Sequence, residues 1–388
     1  MNMEKLGKYC KIVSGYAFKS NDLSEGTEIP VIKIGNISNG NDVIIDSSTQ
    51  YVSSDFLSID EKYHIKKGDV LISLTGSHIN QPNSMVGRSC RNFSDTEFLL
   101  NQRAGKVIPN ENADKNYLYY LLNTESFKYS ICNRAYGAAN QANVSPSDIE
   151  NIKWNFPPLP TQQKIASILS AYDNLIQNYK KQIEALQTAA SELYKEWFVR
   201  FRFPGYKNSR FENGIPKGWK VEKVKNCVNR LPFGQTYKKD ELEPEGNIIV
   251  IDQSEDEYLG YHNNEPSHKA SAENPIALFG DHSCKYKLMI KDFSLGENII
   301  PYTSKGVDLY YLYYSVYKIV QTEEYKRHWN LFVNKKVLIP NNELQKSFRQ
   351  KVIPIFKQIE ILNKQISNLT QQRDLLLPRL MSDKLEVE

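Results

Sequence analysis

Residues 151–197 align without a gap to residues 334–380, a repeat at a constant offset of 183 that constrains the fold more than any other feature. Asn151-Ile152-Lys153 answers to Asn334-Lys335-Lys336, Pro157 to Pro340, Gln162 to Gln345, and Lys181-Gln182-Ile183 to Lys364-Gln365-Ile366. In the first copy, apolar residues fall at Ile165, Leu169, Tyr172, Ile176, Tyr179, Ile183, Leu186, Ala190, Leu193 and Trp197. Steps of four and three alternate throughout, which is a heptad seam. The second copy holds the same register at Phe348, Val352, Ile355, Ile359, Leu362, Ile366, Leu369, Arg373, Leu376 and Leu380, and only Arg373 breaks it. Each seam therefore has a natural partner in the same chain.

Prolines and caps bound the two helices. Pro157-Pro158-Leu159-Pro160 stops the preceding segment, Thr161 is the expected N-cap, and Pro204-Gly205 the expected end. A helix over about 161–198 would be roughly 55 Å long. Pro354 is expected to kink the second helix or delay its start, and Pro378 to close it. Residues 1–150 and 204–333 differ in character, with short β-type runs such as Val31-Ile32-Lys33-Ile34 and Asn247-Ile248-Ile249-Val250-Ile251 between turn residues. Both segments end on one helical phrase, Tyr117-Leu118-Tyr119-Tyr120-Leu121 and Tyr311-Leu312-Tyr313-Tyr314-Ser315. The expectation is an α+β chain organised as globule 1–150, long helix 151–203, globule 204–333, long helix 334–388. Its two mixed α/β globules would be separated by two antiparallel coiled-coil helices in a pseudo-twofold repeat.

Composition narrows the function. At 388 residues the chain exceeds what one core carries. Hydrophobic residues at 40% and charged residues at 24% exclude a disordered tail and a membrane protein. Cys10, Cys90, Cys132, Cys227 and Cys284 form no CxxC pair, which argues against zinc and against a disulfide framework. Met1 to Leu6 shows no signal segment, so a reduced, cytoplasmic protein is expected. The net charge of +4 is uneven: Lys195–Lys239 holds 12 Lys or Arg against three acids, and Asp240–Ser267 holds nine acids and no Lys or Arg. The first stretch suits a polyanion and the second does not. Globules at opposite ends of an antiparallel helix pair would meet a DNA duplex in opposite orientations, each at its own half-site, with the helices fixing the separation. Because the globules have diverged, the half-sites should differ.

Longer phrases add a resemblance. Asn143 to Ile152, then Pro157-Pro158-Leu159-Pro160-Thr161-Gln162-Gln163-Lys164-Ile165-Ala166 and on through Leu193-Tyr194-Lys195-Glu196-Trp197-Phe198, resembles the first conserved region of type I restriction-modification specificity subunits. Gln371 to Ser382 resembles the second conserved region, and Ser14 to Ser20 and Phe279 to Ser283 resemble phrases of target-recognition domains. Thr161 stands where the family commonly carries Glu. The resemblance covers nearly the whole chain and implies a non-catalytic subunit of a host-defence DNA methylation system. Its two target-recognition domains would read a bipartite asymmetric DNA site. It would recruit two methyltransferase subunits and, in the full complex, restriction-translocation subunits. S-adenosylmethionine would belong to the methyltransferase, ATP and Mg²⁺ to the restriction subunit, and no cofactor, metal or membrane to this chain. The alternative is a sequence-specific DNA-binding scaffold of another defence or regulatory assembly.

Motifs for chemistry in the chain itself are weak. Asn155-Phe156-Pro157-Pro158 has the wrong order for an amino-methyltransferase loop, and no Gly-rich cofactor loop precedes it. Asp308 with Glu324-Tyr325-Lys326 fits a loose nuclease pattern that arises often by chance. Base readout calls for Arg and Lys toward guanine and Asn and Gln toward adenine. The candidates in the first globule are Ser77, Asn80, Gln81, Arg88, Arg91, Asn101, Gln102, Arg103, Gln141 and Asn143. In the second they are Gln235, Tyr237, Lys238, Lys239, Lys285, Lys287, Lys326 and Arg327. Partner docking is expected on the helices, at Gln162, Lys164, Gln182, Glu184, Gln365, Gln372 and Arg373.

Overall fold

The computed structural model describes residues 3–26, 28–46, 48–77, 85–138, 141–243, 246–254, 258–321 and 326–382. The chain divides into two compact units, residues 1–177 with 367–388, and residues 178–366. Each long helix is therefore shared between the units, and the units do not end where the helices begin. The fold is mixed helix and sheet, as the patterning implied.

Unit 1 is built on two four-stranded sheets. The first runs Cys10–Ser14, Ala104–Pro109, Val70–Ser73, Ser89–Arg91, antiparallel throughout. The second runs Gln50–Val52, Ile29–Ile32, Phe98–Leu100, His64–Ile65, with Ile29–Ile32 parallel to Phe98–Leu100. The helix Lys115–Asn123 packs between sheet and long helix, capped by the Asp114 carboxylate, which accepts from the Asn116 and Tyr117 amides. Tyr117, Tyr119 and Tyr120 of its repeated phrase are buried in the core.

Unit 2 repeats this plan. Val228–Arg230, Ile299–Ser304, Ile276–Gly280 and Tyr286–Met289 form an antiparallel sheet in the same spatial order. Gly260–His262, Ile248–Ile251 and Phe293–Leu295 form the second sheet, and its parallel pair is again the one that ends at the turn into the first sheet. The helix Leu309–Val316 is capped by Asp308 and buries Tyr310 and Tyr311. Two globules with little sequence in common thus share the strand order of the first sheet and the parallel pair of the second.

The first long helix spans Leu159–Tyr194 and continues through a π-turn over Lys195–Val199, where the Arg200 amide donates to the Lys195 carbonyl at 2.8 Å. It starts two residues before Thr161, with Pro160 in its first turn, so Thr161 is not its cap. The chain leaves it at Phe201 (φ 55°), ahead of Pro204. The second helix spans Asn342–Met381 without a break. Pro354 does not interrupt it, because Pro354 and Gln350 lie on the solvent side, where water can satisfy the carbonyl that lost its donor. Pro378 is likewise accommodated within it. In unit 1, Leu380 and Met381 pack with Ile165 and Leu169 while Arg373 reaches Asp173, so these segments run antiparallel. In unit 2 the last turns of the first helix meet the first turns of the second, with Trp197 and Phe198 against Phe348. No residue of either heptad seam is exposed. Each seam side chain fully removed from water, such as Leu169 or Val352, contributes about 1.5–3 kcal/mol.

Candidate nucleic-acid interface

The same end-of-sheet construction appears in both units. In unit 1 the turn Asn101 to Ala104 closes when the Ala104 amide donates to the Asn101 carbonyl at 2.9 Å. The loop after Cys10–Ser14 docks on it: Gly15 N–H donates to Ala104 at 2.9 Å, Tyr16 to Leu100 at 2.7 Å, and Gln102 to Tyr16 at 2.9 Å. A Cβ on Gly15 would stand 2.3 Å from the Leu100 carbonyl oxygen, so this approach requires glycine. Leu74 donates to the Arg103 carbonyl and Val144 to that of Leu74, both at 3.0 Å. The Thr75 hydroxyl donates to Asn143 Oδ1 at 2.8 Å. Asn101, Gln102, Arg103, Gln141 and Asn143 thereby share one hydrogen-bonded surface, with Gln102, Arg103 and Gln141 exposed.

Unit 2 has the counterpart. Tyr237 N–H donates to Leu295 at 2.9 Å, Gly296 to Ile251 at 2.8 Å, Asp281 to Asn298 at 2.8 Å and His328 to Asp281 at 2.7 Å. The loop 234–237, the turn 296–298, the hairpin 281–285 and the segment 326–328 therefore converge. Gln235, Lys238, Lys239, Lys326 and Arg327 are exposed there, while Lys285 and Lys287 are half-buried, with Lys285 Nζ donating to the Ser254 carbonyl at 2.7 Å. The exposed tip of this turn is Glu297-Asn298, where unit 1 presents Gln102-Arg103. Glu297 and Asn298 escaped the sequence reading, although Leu295-Gly296-Glu297-Asn298-Ile299 parallels Leu100-Asn101-Gln102-Arg103-Ala104.

Several expected contact residues are structural instead. Arg91 is buried, its guanidinium donating to Asp173 at 2.9 Å and to Asn116 at 2.8 Å. Tyr237 is buried and stacked on His262 at 4.2 Å, and Ser77 is buried beside Met85. Arg88 is half-buried, donates to the Ile34 carbonyl at 3.0 Å, and has its guanidinium pushed below its ordinary value by burial. Asn80 and Gln81 lie outside the described residues. On the helices, Lys164, Gln182, Glu184, Gln365 and Gln372 are exposed, but two expected docking residues are committed internally. Gln162 is fully buried: its Oε1 accepts from the Asp114 amide at 3.0 Å, and its Nε2 donates to the Pro157 carbonyl at 3.0 Å. Gln345 does the same with Asp308 (2.7 Å) and Pro340 (2.8 Å). Arg373 pairs with Asp173 at 2.7 Å.

The remaining motifs resolve similarly. Phe156 stacks on Tyr9 at 3.8 Å and Asn155 pairs with Met3 in a ribbon. Asp308 caps a helix and pairs with Arg349 at 2.9 Å, and Glu324 lies outside the described residues. In the basic stretch, Lys195, Arg200, Arg202 and Lys217 pair with Glu192, Glu196 or Glu212, so part of its charge is neutralised locally. No helix among the described residues is long and apolar enough to cross a membrane.

Fold and surfaces together define a class: each unit carries a globular head packed on segments of both long helices, the two alike in frame and unlike in the chemistry they expose. Residues 1–188 match the family model of the Type I restriction modification DNA specificity domain. The chain is 28% identical over 338 residues to the type I restriction enzyme MjaIX specificity subunit of Methanocaldococcus jannaschii, covering 75% of this chain and 74% of that protein. A putative type I restriction enzyme MjaX specificity subunit of the same organism is 27% identical over 354 residues, covering 84% and 80%. The crystal structure of the type I restriction-modification system S subunit from M. genitalium shares the fold, with TM-score 0.53 and 16% identity over 100% of this chain and 96% of that one. Over most of its length the chain is thus similar to type I restriction-modification specificity subunits, and residues 1–188 match their DNA-specificity domain.

Proposed function

We propose that this DNA-specificity subunit reads a bipartite asymmetric site, one half through each unit, while the paired helices set the spacer. The carrying observation is the matched pair of turns, one exposing Gln102-Arg103 and the other Glu297-Asn298. Equivalent frames with different donors and acceptors suit different bases: Arg toward guanine, Gln and Asn toward adenine, and Glu toward the cytosine amine. The exposed Lys164, Gln182, Glu184, Gln365 and Gln372 are where two methyltransferase subunits dock, and restriction-translocation subunits complete the assembly. In this scheme the chain performs no chemistry itself. The methyltransferase supplies S-adenosylmethionine, and the restriction subunit supplies ATP and Mg²⁺ chemistry.

Selection of DNA from a random pool by the complete methyltransferase complex tests this. Gln102→Ala with Arg103→Ala should relax one half-site by about 1–3 kcal/mol per lost base contact and leave the other intact. Glu297→Ala should act only on the second half. Inserting one heptad into both long helices should lengthen the spacer and change neither half-site. Changes spread over both halves, or an unchanged spacer, would refute the assignment.

A further inference from the structure

Each unit carries a two-stranded antiparallel ribbon whose second strand leads into a long helix. In unit 1 it is Met3–Lys5 with Lys153–Asn155, and in unit 2 Lys220–Lys223 with Lys336–Ile339. The ribbons are equivalent: the Leu6 amide donates to the Ile152 carbonyl at 2.8 Å, and Val224 to Lys335 at 2.9 Å. In both, two lysines stand directly opposite each other, Lys5 against Lys153 and Lys223 against Lys336. Directly opposed residues share a face with Cβ atoms roughly 5 Å apart, and like charges there are destabilising. All four lysines are exposed, and among the described residues none forms an ion pair.

The opposite face of each ribbon is used differently. Glu4 is held by Lys8 and Tyr9 and lies opposite Trp154; Glu222 accepts from Asn226 at 3.0 Å and lies opposite buried Val337. Glu150 lines a pocket with Lys5 but accepts from the Ile12 amide at 2.7 Å, and among the described residues no carboxylate pairs with the four lysines. Two residues along each lysine face stands an exposed apolar side chain, Met3 at 56% and Val221 at 55%. An unfavourable cation pair recurs at one position in two units whose surfaces otherwise differ. A shared anion with several oxygens relieves that repulsion, and a duplex offers a phosphate about every 1.7 Å of its axis.

Building on the DNA-specificity reading, we infer that Lys5 with Lys153, and Lys223 with Lys336, are a duplicated pair of clamps for DNA backbone phosphates. They act outside the bases that are read, so they add affinity and register without sequence preference. The test measures binding of the complete methyltransferase complex to a duplex bearing its selected site, and to a random duplex, across a salt series. Lys5→Gln with Lys153→Gln, and separately Lys223→Gln with Lys336→Gln, should each weaken both duplexes by a similar factor. Each should also reduce the salt slope by about 1 while the selected sequence stays the same. The matching Lys→Arg pairs should restore the slope, which separates charge loss from misfolding.

An unchanged slope overturns the clamps. If it comes with loss of methyltransferase from the purified complex, the faces bind an acidic protein surface; if with self-association, the lysines guard exposed ribbon edges. A wild-type complex with no preference for any duplex overturns the DNA-specificity reading itself. Normal preference with wild-type slopes in the variants overturns only the clamps.

Discussion

Where the long helices meet the globular sheets, the two units place opposite chemistry at equivalent positions. At the 183-residue offset Asp173 corresponds to Phe356, and Arg373 to Ala190. In unit 1, Asp173 is 3% exposed and accepts from Arg373 at 2.7 Å, Arg91 at 2.9 Å and the Tyr120 hydroxyl at 2.5 Å. The Arg91 guanidinium also lies 4.4 Å from the Phe93 ring centre and 4.9 Å from that of Tyr119. In unit 2, Phe356 and Ala190 share an apolar cluster with Tyr310, whose ring is 4.9 Å from that of Phe356 and whose hydroxyl donates to the Ala272 carbonyl at 2.7 Å. The duplication thus preserves helix register and sheet order, not the kind of contact. A packed apolar node tolerates volume-conserving change, whereas a buried charge node tolerates the loss of no single member.

The largest effect should come from Asp173→Ala, which leaves the buried Arg91 guanidinium without its carboxylate and half-buried Arg373 with Asp374 alone, and should cost about 3–5 kcal/mol. Urea unfolding of the full chain measures it, and a loss below about 1 kcal/mol would erase the distinction between the nodes. Phe356→Ala should cost about 3 kcal/mol and Phe356→Leu clearly less, because leucine refills most of the volume. Gln162→Ala and Gln345→Ala should cost similar amounts, about 1–3 kcal/mol each, since both leave a helix-start amide and a proline carbonyl unpaired. Very unequal losses would show that the two joints are not equivalent.

The smallest effect should be a pH dependence carried by two histidines of unit 2. Burial pushes His262 and His268 below the ordinary histidine value of 6.5. The folded state binds protons less readily than the unfolded chain, so their contribution is full above pH 6.5 and is lost as pH falls from there through the lower folded-state values. The drop in urea midpoint from pH 7.5 to 5.5 should shrink in a His262→Gln, His268→Gln variant; an identical drop would assign it elsewhere.

Much of the architecture was legible because it is periodic. Ile165 through Trp197 and Phe348 through Leu380 announce two helices of one register, and every one of those positions is buried or half-buried. Arg373 was visible as a flaw in the seam, but its partner was not, since Asp173 lies 200 residues away in sequence. Polar loop residues were the weakest guide. Arg91, Ser77 and Tyr237 have the residue types of a DNA surface, yet each is buried by neighbours that no local pattern names. Gln162 carried a usable signal, its match at Gln345, because an identical polar residue at both helix starts suits a shared internal joint as well as a docking face. The matched turns could not be told apart from ordinary hairpins until the sheets set them at corresponding ends.

Two heads of one frame should read two different half-sites. The most direct measurement is a base-resolution map of methylated DNA in cells carrying the complete system, with and without this chain. One split, asymmetric motif should lose methylation on both strands when the chain is absent. A continuous motif, a palindromic pair of identical halves, or methylation that is unchanged would contradict it.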